Sequence, residues 1–280
     1  MIKGDEIKVD FMILGAQKCG TTTLSEILRN HPSFEACRTK EPHFFSQKRD
    51  WRKYLDEYHS LFSLREDALY FEASTTYTFY PHRKFNIWDD LYEYNPKLKF
   101  IYLVRNPIDR IISSYMHSYE KGHTDLAIED AIINERFFLD ITRYYTQISP
   151  FIERFGREKV LIIDFEDLIN NQNETLQKVS DFLLIDSDKF STSGNVHSNK
   201  SVGGNKIHHK FDSPSLYLKI IRKLSPRLWR NITDNADRSF HTKPKLEKVY
   251  KEMIIRFLTS EIMELQKLMD KNLNNWLKID

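Results

Sequence analysis

Val9-Asp10-Phe11-Met12-Ile13-Leu14 runs straight into Gly15-Ala16-Gln17-Lys18-Cys19-Gly20-Thr21-Thr22, and Leu24, Ile27 and Leu28 follow at helical spacing. An apolar run, a glycine-bounded loop and an amphipathic start read as strand, turn and helix. Two glycines four residues apart in that setting have the spacing of a P-loop, whose backbone N–H groups cradle phosphates at a helix N-terminus. The alternative, a chance glycine-rich turn, leaves the flanking strand and helix unexplained.

The loop departs from that of a nucleotide triphosphatase, which would carry Lys at position 21 and Ser or Thr at 22. Thr21 stands in the lysine's place, and the lysine is inside the loop at Lys18. A lysine there lies nearer the first phosphate the loop binds. That suits a donor with one 5′-phosphate and a transferable group beyond it.

Working outward, Leu69-Tyr70-Phe71 reads as a short strand ending in Glu72-Ala73-Ser74, Leu98 to Val104 as a buried strand bounded by Pro96 and Pro107, and Val160 to Ile163 as another. Helical spacing covers Trp51 to Phe62, the segment from Pro107 through Tyr115, and Glu174 to Leu184. Strands alternating with helices imply an α/β fold with a parallel sheet covered on both faces. Residues 187–210 turn polar and read as a long loop. Beyond it the chain reads as helical to its end, with amphipathic patterns over Leu216 to Leu224 and Leu246 to Leu268. No repeat or linker divides the chain, so residues 1–280 read as one domain with a helical C-terminal third.

Arg105-Asn106-Pro107-Ile108-Asp109-Arg110-Ile111-Ile112-Ser113 follows directly on the strand ending at Val104. An arginine at a strand's carboxyl end and a serine one to two helical turns later can converge on one anion. By itself the segment is equally an N-capping turn with Arg105 in a salt bridge. With the loop at 15–23 it resembles the PAPS-dependent sulfotransferase family, which uses 3′-phosphoadenosine 5′-phosphosulfate (PAPS) as sulfuryl donor. The resemblance implies a P-loop NTPase-like fold. It assigns the 5′-phosphosulfate to Lys18, Gly20, Thr21 and Thr22, with Thr23, Gly15, Gln17 and Cys19 as further loop contacts. Lys18 also acts on the bridging oxygen, and Arg105 and Ser113 take the 3′-phosphate. Arg110 is either a further contact or a surface residue. Lys200, in the loop at 187–210 that resembles a nucleotide-covering segment, is a candidate 3′-phosphate or adenine contact.

Lys40-Glu41-Pro42-His43-Phe44-Phe45 resembles a segment of the heparan sulfate branch, in which a glutamate ahead of an aromatic pair is the general base. Glu41 is the base candidate on that ground; without it, an exposed ion pair with Lys40 is the simpler reading. His43, which titrates near neutrality, is the alternative base. Glu72-Ala73-Ser74-Thr75-Thr76-Tyr77 resembles a segment lining the family's active site, with Thr75 where a proline is common, so Glu72, Ser74 and Tyr77 are expected to meet the acceptor.

Composition sets outer bounds. With 40% hydrophobic and 29% charged residues and a net charge of +2, the chain is an ordinary globular one with no call for nucleic acid. The charge is uneven: residues 197–256 hold 14 Lys/Arg against 5 Asp/Glu, which reads as a solvated face or as a basic wall beside an anionic ligand. Cys19 and Cys37 lack metal-ligand spacing and read as free thiols, and no metal is expected. No signal peptide or membrane anchor is evident, so a cytoplasmic, bacterial enzyme is expected; the resemblance implies that it acts on a small-molecule or glycan acceptor and releases 3′,5′-ADP. The oligomeric state is not legible. Two other classes compete: a P-loop kinase or NTPase, with Asp164 after Val160-Leu161-Ile162-Ile163 as a Walker B-like acid, and a nucleotide-binding protein without catalysis.

Overall fold

A computed structural model describes residues 7–83, 86–190, 238, 240 and 242–279. Five strands, β1 (Phe11–Gly15), β2 (Phe34–Ala36), β3 (Leu69–Ala73), β4 (Lys99–Val104) and β5 (Val160–Asp164), form one sheet in the order β2-β3-β1-β4-β5. Every pairing is parallel. The helices are α1 (Thr21–Arg29), α2 (Phe44–Gln47), α3 (Leu55–His59), α4 (Ile87–Tyr94), α5 (Pro107–Glu120), α6 (Ile128–Asn134), α7 (Phe137–Asp140), α8 (Tyr144–Phe155), α9 (Phe165–Asn170), α10 (Gln172–Leu183) and α11 (Lys248–Met269).

The strands are buried almost throughout, which is why they read as continuous apolar runs rather than alternating ones. Phe11 stacks on Phe71 with ring centres 4.9 Å apart, and Phe34 meets Phe71 edge-on. Phe100 packs edge-on against Phe151 and Phe155 of α8. Aromatic rings thus tie the edge strand β2 and the helix α8 to the sheet.

Several details differ from the sequence expectation. Trp51 to Phe62 is a 3₁₀ turn at Trp51–Tyr54 leading into the short α3, not one helix. The strand β2 is only three residues long, too short to show periodicity. In α8 the apolar positions Tyr144, Ile148, Phe151 and Phe155 have helical spacing, but Pro150 lies inside the helix and masks it. Residues 242–247 ahead of α11 are not helical, and the last element is a 3₁₀ turn at Asn274–Leu277, so among the described residues the helix expected from Leu246 starts at Lys248 and does not run to the end. The pattern over 216–224 and most of the loop at 187–210, including Lys200, lie outside the described residues. No helix among the described residues is long and apolar enough to cross a membrane.

Chain order explains where a ligand can bind. From β1 the chain builds β2 and β3 on one side, then crosses to build β4 and β5 on the other. In such sheets the crevice beyond the strand carboxyl ends at the switch point receives the ligand. The loops after β1, β3, β4 and β5 all leave on that edge, bringing together residues near 16–20, 74–76, 105 and 165.

Candidate active site

A cleft of about 690 Å³ opens at this edge, lined among others by Lys18, Thr21, Glu41, His43, Arg105 and Ser113. Its floor is the start of α1. Gly20 caps this helix in the left-handed region, no acidic residue occupies the first turn, and no side chain caps it. The N–H groups at Thr21, Thr22 and Thr23 therefore face the cleft without an internal helical partner. That end carries partial positive charge suited to an anion.

The loop's glycines are fixed by close approach. A Cβ on Gly20 would lie 2.6 Å from the Phe165 ring, and one on Gly15 2.5 Å from Thr78 Oγ1. Gly15 closes β1 against Thr78 and Tyr102 instead of lining the cleft, which corrects its place among the donor contacts. Cys19 is corrected too: its side chain is fully buried against the Tyr144 hydroxyl at 3.6 Å, its N–H donates to Ala16 O, and burial pushes its thiol up to about 11. Gln17 does line the cleft, and its buried Oε1 has no hydrogen-bond partner among the described residues.

Lys18 takes a left-handed backbone (φ 67), as do Glu41 (φ 52) and His43 (φ 53). Such conformations in non-glycine residues persist where surroundings over-determine them and cluster at functional sites. Burial holds the Lys18 ammonium below its usual value, helped by Lys40 and Arg105 and opposed by Glu120 and Glu41. Arg105 sits over the Phe165 ring, Cζ 4.5 Å from its centre, and its Nε is buried without a partner. Ser113 shares the cleft wall with His117, one turn further along α5. Burial, with Lys18 nearby, pushes His117 down to about 4.

Arg110 is neither a contact nor a surface residue. It is fully buried, donates from Nη2 to Phe138 O at 3.0 Å, and leaves Nε and Nη1 without partners among the described residues. Its place on the inner face of α5 accounts for this.

The acceptor-side expectation needs a larger correction. Glu72 is fully buried: Oε1 accepts from Tyr58 and Tyr77 hydroxyls at 2.7 Å each, and Oε2 from Ser74 Oγ at 2.6 Å. Burial raises its pKa against these three hydrogen bonds. Glu72, Ser74 and Tyr77 are therefore not on the cleft wall. They fasten the segment that is: Ser74 Oγ accepts the His43 N–H at 3.0 Å, and Tyr77 Oη the Phe45 N–H at 3.3 Å. Glu41 Oε2 lies 3.4 Å from His43 Nε2, and both side chains are partly exposed at the cleft.

Asp164 is already engaged. Its carboxylate caps α9 through Glu166 N at 3.1 Å and accepts from Lys271 Nζ at 2.7 Å, and Lys271 also reaches Asp167 at 2.8 Å. It stands on β5, one strand away from the neighbour of the loop-bearing β1, and holds the chain after α11 in place. The Walker B reading has lost its residue.

Lys40, Thr75, His117, Glu120 and Phe165 also line the cleft and were not singled out from sequence. His117 and Glu120 follow Ser113 at helical spacing, so the face was legible. Phe165 follows from register: Val104 pairs with Asp164, which makes Arg105 and Phe165 neighbours.

Residues 8–213 match the family model described as "Sulfotransferase domain". Among curated proteins, Carbohydrate sulfotransferase 15 of Mus musculus is 23% identical over 241 residues, covering 62% of this chain and 43% of that protein. Heparan sulfate glucosamine 3-O-sulfotransferase 3A1 of Mus musculus is 28% identical over 182 residues, covering 61% and 44%. The chain thus spans less than half the length of these relatives. A sulfotransferase structure from Alicyclobacillus acidocaldarius superposes with a TM-score of 0.69 at 21% identity, covering 97% of this chain and 100% of that one, a likeness of fold.

Proposed function

The chain belongs to the sulfotransferase domain family, and from that premise we propose that it moves a sulfuryl group from PAPS to a hydroxyl or amine of a carbohydrate or glycolipid, releasing 3′,5′-ADP. One observation carries the reading: two cationic groups, Lys18 beside the start of α1 and Arg105 together with Ser113, line one cleft with a carboxylate, Glu41. The donor set fits a nucleotide phosphorylated at both ends, since it offers an ammonium, a guanidinium with an unpartnered Nε, hydroxyls and free helix N–H groups. The sugar acceptor is supported by the names of the two curated relatives, and the cytoplasmic location remains part of the proposal.

PAPS supplies an activated sulfuryl group; the chain's residues do the rest. Lys18 and the first-turn amides of α1 stabilise negative charge on the departing phosphate oxygen. Arg105 and Ser113 hold the 3′-phosphate and so set the position of the reacting end. Glu41 takes the proton of the attacking hydroxyl or amine as the new bond to sulfur forms. A positioned base contributes about 10²–10⁴-fold.

Labelled PAPS offered with sugar hydroxyl and amino acceptors should give products heavier by one sulfuryl group. In parallel, 3′,5′-ADP without Mg²⁺ should raise Tm, because a ligand binding only the native state stabilises it by about 2.7 kcal/mol at a hundred times Kd. Strong stabilisation by ATP with Mg²⁺ and none by 3′,5′-ADP would overturn the proposal.

A further inference from the structure

His43 is held from both sides, and the direction of its hydrogen bonds can be worked out. Nδ1 lies 2.9 Å from Thr76 Oγ1, and Thr76 Oγ1 lies 2.7 Å from Ser46 Oγ. Ser46 Oγ can also donate to the His43 carbonyl at 3.0 Å, so two acceptors compete for its proton. Each hydroxyl has one proton to give. The His43 carbonyl already accepts from Ser46 N at 3.1 Å and Gln47 N at 3.0 Å, which fills its two lone pairs. The proton of Ser46 is therefore better placed on Thr76, over the shorter distance. Thr76 must then give its own proton to His43 Nδ1. With Nδ1 accepting, the ring's proton is on Nε2, facing Glu41 Oε2 at 3.4 Å. In the opposite direction Nδ1 would carry the proton, and an Nε2 lone pair would face a carboxylate with nothing between them.

We propose that Thr76, backed by Ser46, is a positioning residue for the transfer reaction: its hydroxyl fixes His43 as the Nε2–H tautomer, which donates to Glu41 and leaves that carboxylate, not the imidazole, to take the acceptor's proton. The inference rests on the proposed function for the reaction it serves, and it names two hydroxyls that neither phosphate site nor the base segment suggested. It also gives the buried cluster behind His43 a purpose. Ser74, anchored on Glu72, holds the His43 backbone N–H while Thr76 holds the ring, so backbone and imidazole are set by two residues two apart in one 3₁₀ turn, its N-cap Ser74 and Thr76 within Thr75–Thr78.

The test uses Thr76→Val, which keeps the shape and removes the hydroxyl, with Thr76→Ser as the conservative rescue. Long-range ¹⁵N–¹H spectra of the imidazoles, with His43 assigned by its loss in His43→Gln, should show Nε2–H in the parent and in Thr76→Ser. Thr76→Val should show a mixture of tautomers. Its kcat should fall roughly three- to tenfold, the effect of one neutral hydrogen bond, with unchanged 3′,5′-ADP affinity, which also certifies its fold. Thr76→Ser should recover the rate. A parent that transfers no sulfuryl group sinks the proposed function. An active parent whose ring is Nδ1–H, or an active Thr76→Val with tautomer and kcat unchanged, overturns the relay alone.

Discussion

Arg105 spends its charge economically: the face of its guanidinium rests on Phe165 while its backbone carbonyl accepts from Tyr144 Oη at 2.9 Å. Cation–π contact leaves the in-plane N–H groups free for an anion. Arg105→Ala should therefore weaken 3′,5′-ADP far more than 5′-AMP, since only the former carries a 3′-phosphate. A charge-assisted bond is worth about 1.5–3 kcal/mol, so calorimetry should show roughly a ten- to hundredfold loss for 3′,5′-ADP. Equal weakening of both ligands would make Arg105 a structural residue. Single residues were also where the sequence misled. Glu72, Ser74 and Tyr77 are in a segment of active-site resemblance, yet their side chains turn inward to hold Phe45 and His43. Position along the chain reveals which segment lines a cleft, but which side faces the cleft is settled by burial.

The loop between β1 and α1 shows what one glycine does for an element. Gly20 has φ 88, and its missing Cβ leaves room for Phe165, the same ring that carries Arg105. Gly20→Ala should cost about 1–2 kcal/mol for the left-handed backbone alone. Displacing Phe165 should add a loss of nucleotide binding through Arg105, beyond any effect on the loop's own contacts. The check is thermal unfolding together with 3′,5′-ADP calorimetry; a variant that loses stability but binds normally would separate the loop from the proposed 3′-phosphate site. At this scale the sequence was most legible. β1, β3, β4 and β5 announced themselves as apolar runs because both faces of the sheet are covered. α8 was hidden by Pro150, and its N-terminal end is secured from far along the chain, where Glu261 of α11 accepts from Thr146 N at 2.9 Å and from Arg143 Nε at 3.2 Å. Contacts of that kind have no local signature.

Among the described residues, two carboxyls at the sheet have pKa values raised by burial, Asp10 just before β1 and Glu72 within β3. Glu72 accepts from three hydroxyls and, among the described residues, from no cation. Its folded form therefore holds a proton more tightly than the unfolded chain does. The stability this brings is fully present below the ordinary value of 4.5 and is lost as pH rises through the raised folded value. Lys271 on Asp164 and Asp167 pins the C-terminal segment to the edge of the sheet by a different means, with a cation present. Glu72→Gln keeps an oxygen for Tyr58 and Tyr77 and an amide donor for Ser74, but it cannot ionise. Its amide reverses the bond to Ser74, so some constant loss of stability is expected at every pH. The pH-dependent part should move the other way: measured by thermal unfolding from about pH 4.5 to 8, the Tm of the variant relative to the parent should climb with pH, because only the parent has to bury a charge. A difference that stays flat over that range would mean that Glu72 does not change its protonation on folding, and that the hydroxyl cage alone sets its contribution.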